Sequence, residues 1–303
     1  HHETGAAATV LSAVVDQPRG YGRIVRDAEG RLAAIVEEKD CNDEQRSIRE
    51  INTGISCFDI RKLFAALKRV TNHNAQGEYY LTDVVGILRE DGERVEVVTA
   101  DDPAEAAGVN DRIGLSEAEA IMRRRINRQL MEAGVTLIDP EATYIEAGVK
   151  IGRDTVIWPG CILRGNTVIG EDCEIGPQAD ITDSVIGRGS KVIRSVLSDV
   201  KTEDNASIGP FAYLRPGTKL AEGVKVGDFV EIKNAFIGKG SKVPHLSYVG
   251  DAEVGEGVNI GCGVITANYD GVAKHRTTIG DHAFIGSNSN LIAPVSIGKG
   301  AYV

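Results

Sequence analysis

No run of apolar residues approaches the roughly 18 that a membrane-spanning helix requires, so a bilayer is not an expected partner. A basic segment ahead of an apolar stretch is also missing. His1-His2-Glu3 leads into a short Ala/Val run, and no secretory signal is expected. Positive charge is in deficit, with 34 Lys and Arg against 44 Asp and Glu, a formal net charge of −10 and a pI near 5.2. That field repels a polyanion and makes nucleic acid an unexpected partner. The five cysteines (Cys41, Cys57, Cys161, Cys173, Cys262) form no CxxC pair, and their odd number suits no disulfide framework. They read as reduced thiols, which points to a cytoplasmic location.

What is present is enough for two domains. The chain has 303 residues, and 42% apolar with 26% charged residues argues against wholesale disorder. Residues 1–111 mix strand-like and helix-like segments. Thr9–Val15 is a β-branched run ending at Asp16-Gln17-Pro18, and Arg31–Val36 reads as a second strand. Ile60–Val70 and Leu81–Leu88 carry helical spacing. Alternation of this kind predicts an α/β layer structure. Residues 112–134 predict a linker helix. Its start is placed near Ser116, where Ser116 and Glu119 have the form of a capping box, and Gly134 supplies a stop.

From residue 135 to residue 303 the period changes. Ile145, Ile151, Ile157, Leu163, Ile169, Ile175 and Ile181 are spaced by six. The phase slips, returns from Ile208 to Ile232, and returns again from Ile279 to Val303. Neither a helix nor a flat strand produces this pattern. A triangular coil of hexapeptide repeats does, with one aliphatic side chain inside per short strand and glycine near the corners for φ > 0. About 160 residues at 18 per turn gives roughly nine turns of parallel β-helix.

Interruptions of such a scaffold are candidate sites, because loops on rigid frames tend to carry function. The aliphatic phase is lost from Gly263 to His275. A tolerated surface insertion leaves the same trace. Arg215 and Lys233 are 18 residues apart, one turn, which stacks two cations on one edge. A guanidinium fork and a point charge together suit a phosphate. His245 falls on another edge of the triangle and reaches that phosphate only through a neighbouring coil or a register shift. A lone histidine is most often structural; beside an anion site it also suits general-base chemistry, since an unperturbed imidazole titrates near 6.5. A zinc site is not expected, because His245, His275 and His282 do not fall on one edge.

Several runs together resemble one family. Leu214-Arg215-Pro216-Gly217, Glu231-Ile232-Lys233-Asn234, His245-Leu246-Ser247-Tyr248-Val249-Gly250-Asp251, Asn259-Ile260-Gly261 and Asn268-Tyr269-Asp270-Gly271 are similar to the acetyltransferase half of the bacterial bifunctional GlmU enzymes. Gly20-Tyr21-Gly22-Arg23-Ile24, Ile35-Val36-Glu37, Glu50-Ile51-Asn52-Thr53-Gly54 and Gly108-Val109-Asn110 resemble their uridylyltransferase half. The resemblance covers nearly the whole chain in order. It implies a partial nucleotidyltransferase α/β domain of Rossmann-like type over 1–111, a linker helix over 112–134, and a left-handed β-helix over 135–303 that forms a homotrimer.

The implied activities are acetyl transfer from acetyl-CoA to glucosamine-1-phosphate and uridylyl transfer from UTP to N-acetylglucosamine-1-phosphate. His245 is the implied general base. Arg215, Lys233, Tyr248 and Asn259 are implied sugar-phosphate contacts. Cys262, Asn268, Tyr269, Lys274 and Ser287 are implied acetyl-CoA or substrate contacts, with Cys262 standing where the family often has Ala. Gly22, Glu37, Asn52 and Asn110 are implied contacts to UDP-N-acetylglucosamine, and Asn110 is an implied Mg²⁺ ligand.

The family's Gly-rich nucleotide loop and the Asp that shares Mg²⁺ do not precede His1, so this chain alone is expected not to transfer uridylyl groups. It ends at Val303 with the repeat in phase, whereas the family continues into an arm that completes the acetyl-CoA site, so weak or absent acetyl transfer is expected. Two other readings remain open on the sequence: a nucleotide-sugar pyrophosphorylase whose coil serves only assembly, and a non-enzymatic trimerisation module.

Overall fold

The computed structural model describes residues 1–303 apart from Ala107 and Asn110. The chain divides into two compact units, 1–119 and 120–303. In the first, strands β1 (Ala8–Val14), β2 (Arg23–Arg26), β3 (Leu32–Val36), β4 (Glu50–Phe58) and β5 (Val95–Thr99) form one sheet in the order β3-β2-β4-β1-β5. β1 runs parallel to β5, and the other pairings are antiparallel. The short helix α1 (Asp43–Arg46) and the helices α2 (Ile60–Leu67) and α3 (Asp83–Glu90) complete the α/β arrangement that the sequence predicts. Val85 of α3 packs with Val10, Ile24, Leu32 and Ile35 of the sheet. Asp59 caps α2 by accepting the backbone N–H groups of Arg61 and Lys62, which fixes its start.

Helix α4 runs Arg112–Glu132 and so begins earlier than the expected Ser116. The reason is Asp111: its Oδ1 accepts the N–H of Gly114 at 2.8 Å and its carbonyl accepts that of Leu115 at 3.0 Å. Those bonds satisfy first-turn donors a full turn before Ser116 could. Further on, Ile126 and Leu130 pack against the first turn of the coil, and the buried Asn127 amide donates to the carbonyls of Pro140 and Thr143.

The coil is three parallel sheets of nine strands each, giving nine turns. The inward residues stack directly: Leu163 pairs with Ile145 and Ile181 on one face, and Ile169 with Ile151 and Ile186 on the next. Each fully buried aliphatic side chain contributes about 1.5–3 kcal/mol.

The phase slips have a local cause. Steps of five rather than six residues separate Ile181 from Ile186, Val192 from Leu197, Leu197 from Thr202, Ile232 from Ile237 and Val249 from Val254. Each short step turns on a left-handed residue: Asp183, Arg194, Asp199, Asn234 and Asp251, with φ between 42° and 49°. Asp and Asn tolerate that region better than other side chains.

Two expectations need correction. Gly176 and Gly209 do supply the positive φ expected near the corners, at 99° and 98°, but Gly152, Gly170, Gly227, Gly261 and Gly286, which also follow aliphatic residues, do not. Instead, a Cβ on Gly152 would stand 2.5 Å from the amide nitrogen of Glu171, and one on Gly261 2.7 Å from that of Ser287. They are needed because successive turns approach closely. The interruption predicted from Gly263 begins later. Ile265–Ala267 is still a strand of the coil with Thr266 pointing inward, and the chain leaves only at Asn268 to return at Thr277–Ile279. A threonine can replace the aliphatic residue because its hydroxyl accepts the N–H of Gly250 at 2.7 Å and donates to that residue's carbonyl at 3.0 Å.

Candidate active site

The strand register places Leu214 beside Ile232, so Arg215 and Lys233 sit one above the other on the first face of the coil, as their spacing predicts. Arg215 is held by Glu231, with Nη1 2.7 Å from Oε1, and this hydrogen bond raises its pKa above the ordinary guanidinium value. The next turn is shorter: Lys233 pairs with Gly250, seventeen positions on. Lys233 Nζ lies 3.9 Å from Asp251 Oδ2.

A third cation joins them from the excursion 268–276. This loop is a tight hairpin in which Tyr269 bridges Lys274. Asp270 accepts the N–H groups of Val272 and Ala273, and His275 Nε2 lies 2.7 Å from its Oδ2. Lys274 meets Lys233; that contact and the like charge push the Lys274 pKa down, while Asp251 and Tyr248 act in the opposite sense. Asn268, at the loop's root, donates to the Tyr248 hydroxyl at 3.3 Å. Arg215, Lys233, Tyr248, Asn268, Tyr269 and Lys274 therefore belong to one face and the loop rising from it. Three cations and two neutral donors suit an anionic sugar or nucleotide phosphate.

His245 is elsewhere, at the end of a strand on the third face, where it pairs with Asp228 of the preceding turn. Its Nδ1 is 2.8 Å from Asp228 Oδ1, and the imidazole is 56% exposed. The hydrogen bond from His245 holds the Asp228 carboxyl below its ordinary pKa. A carboxylate on Nδ1–H leaves Nε2 as the free acceptor, the state a general base needs. Asn259 shares the third face with His245. Cys262 and Ser287 follow strands of that same face, and the Cys262 carbonyl accepts the N–H of Asn288 at 2.7 Å. The predicted site residues thus fall into two sets on two faces, with His245 and the stacked cations apart, as the spacing implies.

In the first unit, Gly22, Glu37 and Asn52 do converge. The N–H of Asn52 donates to the Gly22 carbonyl at 2.8 Å, and a Cβ on Gly22 would stand 3.3 Å from both Glu37 carboxylate oxygens. Thr82 Oγ1 donates to Glu37 at 3.1 Å. Asn110, the predicted Mg²⁺ ligand, lies outside the described residues. Among the described residues no group of three or more His, Cys, Asp or Glu is placed to hold a metal.

Residues 276–303 match the family model described as the hexapeptide repeat of succinyl-transferase. Over all 303 residues the chain is 60% identical to the bifunctional protein GlmU of Brevibacillus brevis, covering 66% of that protein. It is 57% identical to the GlmU of a Geobacillus species, with the same 66% covered. With the GlmU of Carboxydothermus hydrogenoformans the identity is 55%, and 68% of that protein is covered. The chain belongs to the bifunctional GlmU family. It spans about two thirds of the length of these GlmU relatives. A Francisella novicida UDP-N-acetylglucosamine acyltransferase overlaps 55% of this chain and 60% of its own at 19% identity, with a TM-score of 0.38.

Three carboxylates escaped the sequence reading: Asp228, Glu231 and Asp251. A uniform 18-residue turn puts Gly227 beneath His245. The five-residue step at Asn234 makes that turn one residue shorter and brings Asp228 there instead. The available signal was the slip of phase between Ile232 and Ile237.

Proposed function

We propose that the coil half catalyses acetyl transfer from acetyl-CoA to the amine of glucosamine-1-phosphate. The observation that carries this reading is the His245–Asp228 pair, with Nδ1 2.8 Å from Oδ1 and the other ring nitrogen free. Arg215, Lys233 and Lys274 bind the sugar phosphate, with Tyr248 and Asn259 on the sugar. Cys262, Asn268, Tyr269 and Ser287 line the path of acetyl-CoA, and the Cys262 contact is made by its backbone. As the amine nitrogen attacks the thioester carbonyl, His245 Nε2 accepts its proton. The C–N bond forms, the C–S bond breaks, and the thiolate leaves as free coenzyme A after protonation. Asp228 fixes the tautomer and balances the transient imidazolium.

Because His245 and the stacked cations occupy different faces of one coil, the complete site is built between neighbouring copies in a homotrimer. The first unit contributes UDP-N-acetylglucosamine contacts from Gly22, Glu37 and Asn52 to a uridylyl-transfer site that uses UTP and Mg²⁺. The reactants are small and water-soluble, which suits a cytoplasmic enzyme, and among the described residues no helix is long and apolar enough to cross a membrane.

A thiol-release assay with glucosamine-1-phosphate and acetyl-CoA tests the acetyl-transfer reading. Turnover that falls about 10²–10⁴-fold in His245→Ala is expected, the range of general-base catalysis. An unchanged rate in that variant removes His245 from the role of base, and no turnover in the unmodified chain points instead to a coil that serves assembly alone.

A further inference from the structure

Asp251 occupies a corner of the coil in the left-handed region, φ 48°, directly above the equivalent corner residue Asn234, φ 46°. Its side chain is only 13% exposed. Oδ1 accepts Asn234 Nδ2 at 2.6 Å, and Oδ2 accepts Asn268 Nδ2 in a short hydrogen bond. The carboxylate is thus clamped between two amides from the turns below and above. The Asp251 carbonyl also accepts the N–H of Thr277 at 3.2 Å. One residue therefore holds the chain where it leaves the coil, at Asn268, and where it returns, at Thr277.

We infer that Asp251 is a positioning residue of the acyl-transfer site: it fixes the root of the 268–276 loop and supplies the charge that keeps the Lys233 and Lys274 ammonium groups together. The inference rests on the acetyl-transfer reading above. Two ammonium groups in contact repel, and the buried carboxylate 3.9 Å from Lys233 offsets that repulsion. The other groups that face the pair are the Tyr248 phenol and, one turn lower, Arg215 with its partner Glu231. That lower pair is internally neutral, so Asp251 is the carboxylate that acts on the lysines. Burial opposes ionisation of Asp251, yet the two amides and the lysines outweigh it and hold its pKa below the ordinary value. It stays charged wherever the enzyme works. Lys274 is the vulnerable member, since its proton is already loosened by Lys233. Removing the negative charge loosens that proton further, so Lys274 becomes neutral at a lower pH and no longer greets a phosphate.

The test is Asp251→Asn in the full chain, with kcat/KM for glucosamine-1-phosphate followed across the alkaline range. The variant keeps the side-chain shape, so the coil forms. Its alkaline limb is expected about one pH unit lower, making the defect grow with pH to about tenfold above the limb. Asp251→Glu, which keeps the charge, returns the limb toward its original position. A purely structural clip predicts a loss of activity independent of pH, and that result overturns the inference while the acetyl-transfer reading stands. If the unmodified chain neither turns over nor binds the sugar phosphate in a calorimetric titration, both fall together. Should Asp251→Asn fail to fold, Lys274→Gln carries the test: it is expected to abolish the alkaline limb, and a limb that persists overturns the inference.

Discussion

Asp228 Oδ1 lies 2.8 Å from Nδ1 of His245, and the strand register sets the two residues side by side on successive turns. Asp228→Asn keeps the shape but replaces an acceptor of the Nδ1 proton with an amide that can present a donor. The imidazole then loses its preferred tautomer. We expect kcat to fall about tenfold or more, a share of the ~10²–10⁴ ascribed to general-base catalysis, with KM for the sugar phosphate little changed. Steady-state kinetics with each substrate varied separates these constants. A rise in KM alone contradicts the tautomer role.

Arg215 presents a planar fork held by Glu231. Arg215→Lys preserves charge but not the fork, so bidentate contact to a phosphate is lost. KM for glucosamine-1-phosphate is expected to rise about tenfold, equal to ~1.4 kcal/mol of binding, while KM for acetyl-CoA stays nearly constant. Equal effects on the two substrates are inconsistent with a phosphate contact at Arg215.

Thr266 tests the coil's one buried hydroxyl bridge to Gly250. Thr266→Val is close to isosteric but strips both the N–H and the carbonyl of Gly250 of this partner. The cost of leaving a buried polar group unsatisfied is about 1–3 kcal/mol. Urea denaturation followed by circular dichroism is expected to show a lower midpoint. A variant as stable as the parent means that Gly250 finds other partners.

Self-association, which the proposed site requires, has a candidate surface on the corner between the third and first faces. Phe211, Phe229 and Leu246 occupy it on successive turns, exposed and with positive φ. The Phe211 and Phe229 rings stack with centroids 5.5 Å apart. Bulky side chains rarely adopt that backbone region on an open surface, and an exposed apolar ridge marks an interaction site. Phe229→Ser is expected to shift sedimentation from three copies toward one and to reduce acetyl transfer in step. Unaltered sedimentation removes the ridge from the interface.

Asp27 contributes an acid-sensitive share to the stability of the first unit. Burial raises its pKa, but the backbone N–H of Arg31 and the guanidinium groups of Arg89 and Arg31 prevail and lower it to about 2. The folded value lies below the unfolded value near 3.9. The contribution to stability is therefore complete above about pH 4 and is lost as pH falls toward 2. Asp27→Asn is expected to lower the melting temperature at neutral pH, with the difference shrinking through that acid window. A difference that persists unchanged at pH 2 assigns the effect to packing.

Much of this was legible in the hexad phase. A side chain that must face inward every sixth residue leaves its trace in the sequence directly, as Ile145 to Ile181 do. Arg215 and Lys233 could be stacked by counting because the six-residue step holds from Leu214 to Ile232. The edges of regularity were less legible. Thr266 breaks the pattern because an inward threonine has no aliphatic signature, so the hexad phase alone starts the excursion at Gly263. Ser116 looked like a helix cap, but Asp111 offered the same hydrogen bonds earlier in the chain.

The sequence by itself determined the coil, its approximate number of turns, and the separation of His245 from the stacked cations. Those follow from a periodicity that burial enforces at every turn. Only the tertiary structure decided which carboxylates stand behind which bases. Asp228 meets His245, and Asp251 meets Asn234, Asn268 and Lys233, because left-handed corners at Asn234 and Asp251 shorten single turns by one residue. A one-residue change in turn length is invisible to a count that assumes eighteen, yet it selects the neighbour of each side chain whose turn spans the short step.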